Sequence, residues 1–224
     1  MSTHDNTPTR AALWDMDGTL LDSAEYHWLS WRDTLEQAGW PVTETYFQAT
    51  FGQRNDVILR GLMGEDLSDS EIARIGGIKE ELYRQMVRER GIHLLPGVRQ
   101  WLDRLQRAGF RQAVASSAPR ANVDAIIDVL DIAQYFSAVT SAEDVTYGKP
   151  DPQVFQLAAQ RLGAHPAHCV VFEDAPAGVE AARRASMRVV GILSTHGSLQ
   201  ADVVVRSLEE LPEDAIELLL ARES

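Results

Sequence analysis

Short runs of apolar and β-branched residues recur along the chain and alternate with stretches whose apolar positions return every three or four residues. These are the periods of strands and of amphipathic helices. The runs Ala11 to Trp14, Gln112 to Ala115, Ala138 to Thr140, Cys169 to Phe172, Val189 to Leu193 and Asp202 to Val205 are read as strands. The helical stretches between them have recognisable ends. Pro96-Gly97 opens one that carries Val98, Trp101, Leu102 and Leu105 on one face and stops at Gly109, where a left-handed cap suits glycine. Asp151 as cap and Pro152 as first helical residue open another, which ends near Gly163. A third spans Pro176 to Ala185. Strands joined by crossover helices predict an α/β fold on a parallel sheet.

The stretch from Ser23 to Leu95 breaks this rhythm. It holds no convincing strand and reads as three or four helices. One, Ser23 to Ala38, repeats Ala24, Trp28, Trp31, Leu35 and Ala38 at helical spacing and ends at Gly39. Another, Ser68 to Arg90, opens with the capping-box pair Ser68 and Glu71, runs through Ile72, Ile75, Leu82 and Met86, and is weakened locally by Gly76-Gly77. Such a block is too large for a crossover, so residues 23–95 are read as an inserted all-helical cap and residues 1–22 with 96–224 as the sheet core.

Composition narrows the class. With 224 residues, 45% of them hydrophobic and 24% charged, the chain can bury a core. Its 33 acidic against 21 basic side chains leave a net charge of -12, which argues against nucleic acid and anionic membrane surfaces as partners. The single cysteine, Cys169, sits in an apolar strand and reads as a buried, inert thiol in a reducing compartment. The polar segment from Met1 to Thr9 lacks the basic and apolar regions of a leader, and no apolar stretch nears the ~20 residues of a membrane span. The reading is a cytoplasmic protein whose oligomeric state stays open, a monomer included.

The chemical groups follow the strands. The first strand runs into Asp15-Met16-Asp17-Gly18-Thr19, the second into Ser116-Ser117, and the Cys169 strand into Glu173-Asp174, while Lys149 stands just before a helix. In an open parallel sheet, ligands bind outside the carboxyl ends of the strands where the strand order reverses, so these clusters are expected at one edge. Asp15, Asp17 and Asp174 offer a few hard oxygen ligands, a set suited to Mg²⁺ shared with a substrate phosphate. Gly18 and Thr19 offer backbone N–H groups to a phosphate oxygen, Ser116 a hydroxyl and Lys149 a fixed positive charge.

With these four motifs in order, Asp15-Met16-Asp17-Gly18-Thr19, Ser116, Lys149 and Glu173-Asp174, the sequence resembles the haloacid dehalogenase superfamily from Leu13 to Ala175. The resemblance implies a Rossmann-like core, a helical cap inserted after the first strand, and phosphoryl transfer through an aspartyl-phosphate. Under it, Asp15 is the nucleophile and Asp17 the general acid and base, a role that requires neighbours that raise its pKa. Gly18, Ser116, Ser117 and Lys149 bind the phosphoryl group. Asp15, Asp17 through its carbonyl, and Asp174 hold Mg²⁺, with Glu173 beside the metal. The acid at Asp17 disfavours halide displacement, which has no alkoxide to protonate.

The segment Asp22-Ser23-Ala24-Glu25-Tyr26-His27 resembles that of β-phosphoglucomutases and related sugar-phosphate phosphatases. This implies a hydrogen bond from His27 to Asp17 and a contact from Arg54 to an anionic substrate group. Where those mutases carry a further Ser-Lys pair after Ser116, this chain has Ala118-Pro119, with Arg120 and Asn122 nearby to compensate. A phosphatase acting on a small phosphorylated metabolite is therefore preferred, with a hexose phosphate mutase second. Two other classes fit less well. A signalling receiver domain would place its phosphoacceptor on a later strand in half this length, and a non-catalytic module would have lost a motif acid. His196 is read as a structural loop residue, and Trp28 with Trp31 as packing within the cap.

Overall fold

A computed structural model describes residues 8–221. Most of the polar segment read as lacking a leader, residues 1–7, lies outside them. In chain order the elements are β1 (Ala11–Trp14), α1 (Ala24–Gln37), α2 (Glu44–Thr50), α3 (Asn55–Met63), α4 (Asp69–Arg90), α5 (Val98–Arg107), β2 (Arg111–Ala115), α6 (Arg120–Leu130), β3 (Ala138–Thr140), α7 (Gln153–Leu162), β4 (Cys169–Glu173), α8 (Pro176–Arg184), β5 (Arg188–Ile192), β6 (Val203–Val205) and α9 (Ala215–Leu220). All six strands pair in parallel in the order β3-β2-β1-β4-β5-β6, the α/β fold that the alternation predicts. The order reverses between β1 and β4, so their carboxyl ends frame the crevice where a ligand sits in such sheets.

Strand periodicity explains how the sheet is covered. Ala12, Trp14, Val114 and Phe172 face one side, against α5, α6 and α9. Ala11, Leu13, Ala113 and Val171 face the other, against α7 and α8. With both faces covered, the strands are mostly apolar, with polar residues such as Arg111, Glu173 and Arg188 at their ends. Trp14 and Phe172, on adjacent strands, stack with ring centroids 3.9 Å apart, an arrangement worth ~0.5–1.5 kcal/mol beyond the area buried. The buried indole N–H of Trp14 is satisfied by Gln112 Oε1 at 2.9 Å.

The block after β1 is helical, as its pattern predicts. α1 to α4 pack around a separate core of Trp31, Leu35, Phe47, Ile58, Leu59 and Ile75. The segments that enter and leave it run side by side: Leu21 bridges Leu94, and Leu95 N–H donates to Leu20 O at 2.9 Å. Two local expectations change. Only half of the capping box forms, because Ser68 Oγ accepts from Glu71 N–H while the Glu71 carboxylate pairs with Arg74 at 2.5 Å. The glycine pair does not interrupt α4; Gly76 is instead where Asn55 of α3 comes close. No described helix is long and apolar enough to cross a membrane.

Candidate active site

The strand-end groups meet. Asp15 follows β1, its N–H donating to Phe172 O at 3.0 Å, and this extends the β1–β4 pairing by one residue and fixes the backbone beside Glu173. Ligand oxygens of Asp15, Glu173 and Asp174 lie within 4.8 Å of one another, and all three residues are buried. Lys149, placed ahead of α7, sends Nζ to Asp15 Oδ1 at 2.5 Å and to Glu173 Oε1 at 2.6 Å. Asp17, Ser116 and Ser117 line the same cavity, which measures about 570 Å³ and is closed on the helical side by residues including His27, Trp31, Phe51 and Arg54.

Burial raises the Asp15 carboxyl well above the usual carboxylate range; Lys149 pulls against this, and the charges of Glu173 and Asp174 add to it. Burial likewise pushes Asp174 up to about 7, with Glu173 as the next contributor. Lys149 is raised: burial opposes its charge, but Asp15 and Glu173 outweigh burial. Three buried carboxylates against one ammonium leave excess negative charge in a low-dielectric crevice, a setting that a cation relieves. The donors are all hard oxygens and few, so they fit a Mg²⁺-type ion that keeps several waters.

The Asp17 carboxylate faces a different network. It accepts a short bond from Ser23 Oγ and lies 3.4 Å from His27 Nε2. The other ring nitrogen of His27, Nδ1, is 2.7 Å from Lys79 Nζ, and the ring stacks on Tyr83 with centroids 4.1 Å apart. Burial works to raise Asp17, yet His27, the Ser23 hydroxyl and the Lys79 charge outweigh it, and the carboxyl is lowered. The acid role asks for neighbours that raise this pKa, and in this resting arrangement they lower it. Lys79 also reaches Glu80 at 3.0 Å, and Glu80 accepts from Asn55 at 2.7 Å and from Asn122 at 2.5 Å, joining α3 and α4 to α6.

Several expected contacts resolve differently. The N–H of Gly18 donates to Leu21 O at 2.7 Å and that of Thr19 to Met16 O at 3.2 Å, so neither is free for a phosphate. The turn that consumes them needs a positive φ of 83° at Gly18, and a Cβ there would stand 2.2 Å from Asp174 Oδ2. Gly18 is thus required for clearance beside Asp174. Thr19 Oγ1 instead donates to Asp174 Oδ1 at 3.2 Å. Arg120 pairs with Asp124 on the exposed face of α6, and Asn122 is committed to Glu80 and Arg84, so neither lines the cavity. Arg54 does; its Nε meets Asp56 at 3.1 Å, and its buried Nη1 has no hydrogen-bond partner among the described residues. Cys169 is a buried free thiol pushed up to about 12 by burial. Trp28 packs against Phe47 and Trp31 is buried in the helical core, although Trp31 also touches the cavity.

Sequence reasoning missed Lys79, Glu80 and Thr195. Lys79 left a signal, since it falls on the apolar stripe of α4, four residues from both Ile75 and Tyr83. Thr195, in the loop after β5, donates a short bond to Asp174 Oδ2, and the adjacent His196 lines the cavity.

Known proteins resemble this chain in sequence and in fold. The sequence model of the haloacid dehalogenase-like hydrolase family matches residues 9–186. The chain is 33% identical to β-phosphoglucomutase of Bacillus subtilis over 218 residues, covering 90% of this chain and 91% of the relative. It is 32% identical to the fructose-1-phosphate phosphatase YqaB of Escherichia coli over 182 residues, 80% of this chain and 94% of the relative. Among solved structures, a mutant of CbbY from Rhodobacter sphaeroides in complex with xylulose-(1,5)bisphosphate superposes with a TM-score of 0.81 at 27% identity, over 91% of this chain and 96% of that one.

Proposed function

The chain belongs to the haloacid dehalogenase-like hydrolases, and from that premise we propose that it is a Mg²⁺-dependent phosphatase of a small phosphorylated metabolite, a sugar phosphate or similar monoester. The observation that carries this reading is geometric: Asp15, Glu173 and Asp174 cluster at the strand ends with Lys149 bonded to Asp15 and Glu173, and Asp17, two residues on, lines the same cavity in a separate hydrogen-bond network. Two carboxylates held by different partners in one cavity are placed for different tasks.

Asp15, Glu173 and Asp174 would hold the metal ion. When bound, it neutralises charge on the phosphoryl oxygens and keeps Asp15 ionised. Lys149 adds a positive charge and holds the Asp15 carboxylate in place; positioning and neutralisation matter more in phosphoryl transfer than nucleophilic strength. An Asp15 oxygen attacks phosphorus and the bond to the leaving oxygen breaks as Asp17 gives that oxygen a proton. Water then attacks the aspartyl-phosphate and yields its proton to Asp17, which releases phosphate and restores Asp15. The lowered pKa of Asp17 suits the second half, in which it is the base. Ser116 and Ser117 bind the phosphoryl group. Residues 23–95 act as a cap that hinges where Leu21 meets Leu94 and covers the reaction from bulk water.

Hydrolysis is preferred to mutation because a second phosphate finds few partners: Ala118 and Pro119 stand on the wall, and Lys79 is occupied by His27 and Glu80. The mutase reading keeps one observation in its favour, the unpartnered Nη1 of Arg54. Phosphate release from a panel of sugar phosphates with and without Mg²⁺ tests the proposal, and activity that survives Asp15→Asn defeats it. Given β-glucose 1-phosphate with a trace of the bisphosphate, a mutase makes glucose 6-phosphate without matching phosphate release.

A further inference from the structure

The motif residues sit on the turns after β1, β2 and β4 and ahead of α7. The loop after β5 carries none of them, yet it grips two of those turns. Ser194 Oγ donates a short bond to Gly18 O, and Thr195 Oγ1 donates a short bond to Asp174 Oδ2. The other oxygen of that carboxylate, Oδ1, accepts from Thr19 Oγ1 at 3.2 Å, beyond the ~2.5–3.0 Å usual for a hydroxyl donor. A Cβ on Gly18 would stand 2.2 Å from Asp174 Oδ2 and 2.9 Å from Thr195 Cγ2, so the carboxylate and the threonine methyl both lie against the glycine backbone. Asp174 is buried, and Thr195 makes the tighter of the two bonds that decide how its carboxylate is turned.

A carboxylate that ligates a cation keeps one lone pair aimed at the ion while donors hold the others. Its terminal torsion is broad, so without a donor it pivots and must be ordered afresh when the ion binds. Losing a donor also makes the oxygen more basic, which favours a cation, but where a ligand is held from behind the loss of orientation prevails and affinity falls about 10–100-fold. We infer that Thr195 is a positioning residue for the metal ion, its hydroxyl holding the Asp174 carboxylate with a ligand oxygen within 4.8 Å of those of Asp15 and Glu173. The inference rests on the reading above that these three carboxylates hold Mg²⁺, and it gives the loop after β5 a part in the site.

The test follows Tm against Mg²⁺ concentration, with the metal alone as ligand, at about pH 8.5, where protons compete little for the carboxylates. One series gives both the metal-free stability and the Kd. Thr195→Val keeps the methyl that lies against Gly18 and removes the hydroxyl, and its Kd for Mg²⁺ should rise about 10-fold to 100-fold. Thr195→Ser keeps the hydroxyl and should stay within about threefold of wild type. Thr195 Oγ1 also lies 2.9 Å from His196 Nδ1, so His196→Ala, which spares the Asp174 bond, is the control and should likewise stay within about threefold. A Thr195→Val protein that melts lower without metal but binds Mg²⁺ as wild type does overturns the inference and reduces Thr195 to a stabilising contact. So does a Kd for His196→Ala as high as that for Thr195→Val, because the effect then belongs to the histidine. If Thr195→Val does not fold, Thr195→Ala carries the same expectation. A wild type whose Tm does not respond to Mg²⁺ is a different failure, one that removes the metal site of the proposed function and the inference with it.

Discussion

Nζ of Lys79 lies 2.7 Å from Nδ1 of His27, while the opposite nitrogen of that ring lies 3.4 Å from the Asp17 carboxylate. An ammonium can only donate, so Nδ1 accepts and the ring proton is directed at Asp17 from Nε2. A lysine on α4 thus sets the tautomer of a histidine on α1, which in turn orients an acid that follows β1.

Lys79→Met should disturb both ends of this chain. His27 loses the group that fixes its tautomer, and kcat should fall about 10-fold to 100-fold, short of the loss expected on removing a general acid outright. Glu80 is left with a buried charge and only amide partners, a defect of about 3–5 kcal/mol in comparable sites. Burial lowers the Lys79 pKa while Glu80 and Asp17 support its charge, so that charge is already held against desolvation. Steady-state kinetics with a thermal melt tests both halves. A variant that melts lower but keeps its kcat would make Lys79 structural only.

The acidic triad should make stability depend jointly on pH and on Mg²⁺. Asp174 is raised to about 7 and Asp15 is raised as well, so the metal-free folded state retains protons that an unfolded chain, with Asp carboxyls near 3.9, has already released. Stability therefore falls as pH rises from about 4 to about 7. Lys149, also raised, contributes stability that is present below about 10.4 and is lost only above that window. Asp17, which is lowered, contributes stability present above about 3.9 and lost below it, again outside the window. A divalent ion needs the deprotonated carboxylates, so Mg²⁺ should raise Tm more at about pH 7.5 than at about pH 5.5. At about 100 times its Kd the gain is ~2.7 kcal/mol, or about 5–10 °C for a chain of this size. Equal shifts at the two pH values would remove the triad as the cation site.

Gly178 in α8 sets helix propensity against a collision. Alanine is better than glycine in a helix by ~0.8–1 kcal/mol, which invites Gly178→Ala. A Cβ there would stand 1.6 Å from Glu173 Oε1 and 2.0 Å from its carboxyl carbon. Glu173 has no room to yield, because Lys149 holds Oε1 at 2.6 Å and Ala175 N–H holds Oε2 at 2.7 Å. Breaking a buried charge pair costs ~3–5 kcal/mol, so the collision outweighs propensity and the variant should lose about 2–4 kcal/mol. Denaturant unfolding would read this as a lower midpoint, and a more stable variant with full activity would show that Glu173 is free to move.

What the sequence made legible and what it hid follow from the range of the interactions. Asp15, Glu173 and Asp174 could be placed together because each ends a strand, and strand ends in a parallel sheet share one edge. The partners of Asp17 are of another kind. Ser23 and His27 follow it closely in sequence, and the His27 contact was implied by the resemblance, while the Ser23 bond was not. Lys79 arrives from more than fifty residues away, on a helix whose facing depends on how the insertion packs. The N–H groups of Gly18 and Thr19 were misjudged because a chemical motif says which donors exist and not whether a local turn consumes them. Likewise Arg120 and Asn122, near Ser117 in sequence, are turned by α6 away from the cavity, one to the surface and one into the join between insertion and core.

That join supplies the last prediction. Glu80 Oε2 on α4 accepts from Asn122 Nδ2 on α6 at 2.5 Å, and Asn122 Oδ1 accepts from Arg84 at 2.9 Å. One amide thereby ties two residues of the insertion to the sheet core. Asn122→Ala leaves a buried carboxylate oxygen without that partner, a cost of ~1–3 kcal/mol, whereas Arg84 keeps Glu81 at 2.5 Å. If the insertion must be seated on the core to bind substrate, the loss appears also as a smaller fraction of binding-competent protein, and about 1 kcal/mol of it raises KM about 5-fold. Asn122→Asp should be worse on both counts, since it sets a second carboxylate against Glu80 in a buried site. Thermal melts and KM measured on the same three proteins separate the effects. Falling Tm in the order wild type, Ala, Asp with rising KM supports a clasp that seats the insertion, while falling Tm at constant KM reduces Asn122 to a stabilising contact.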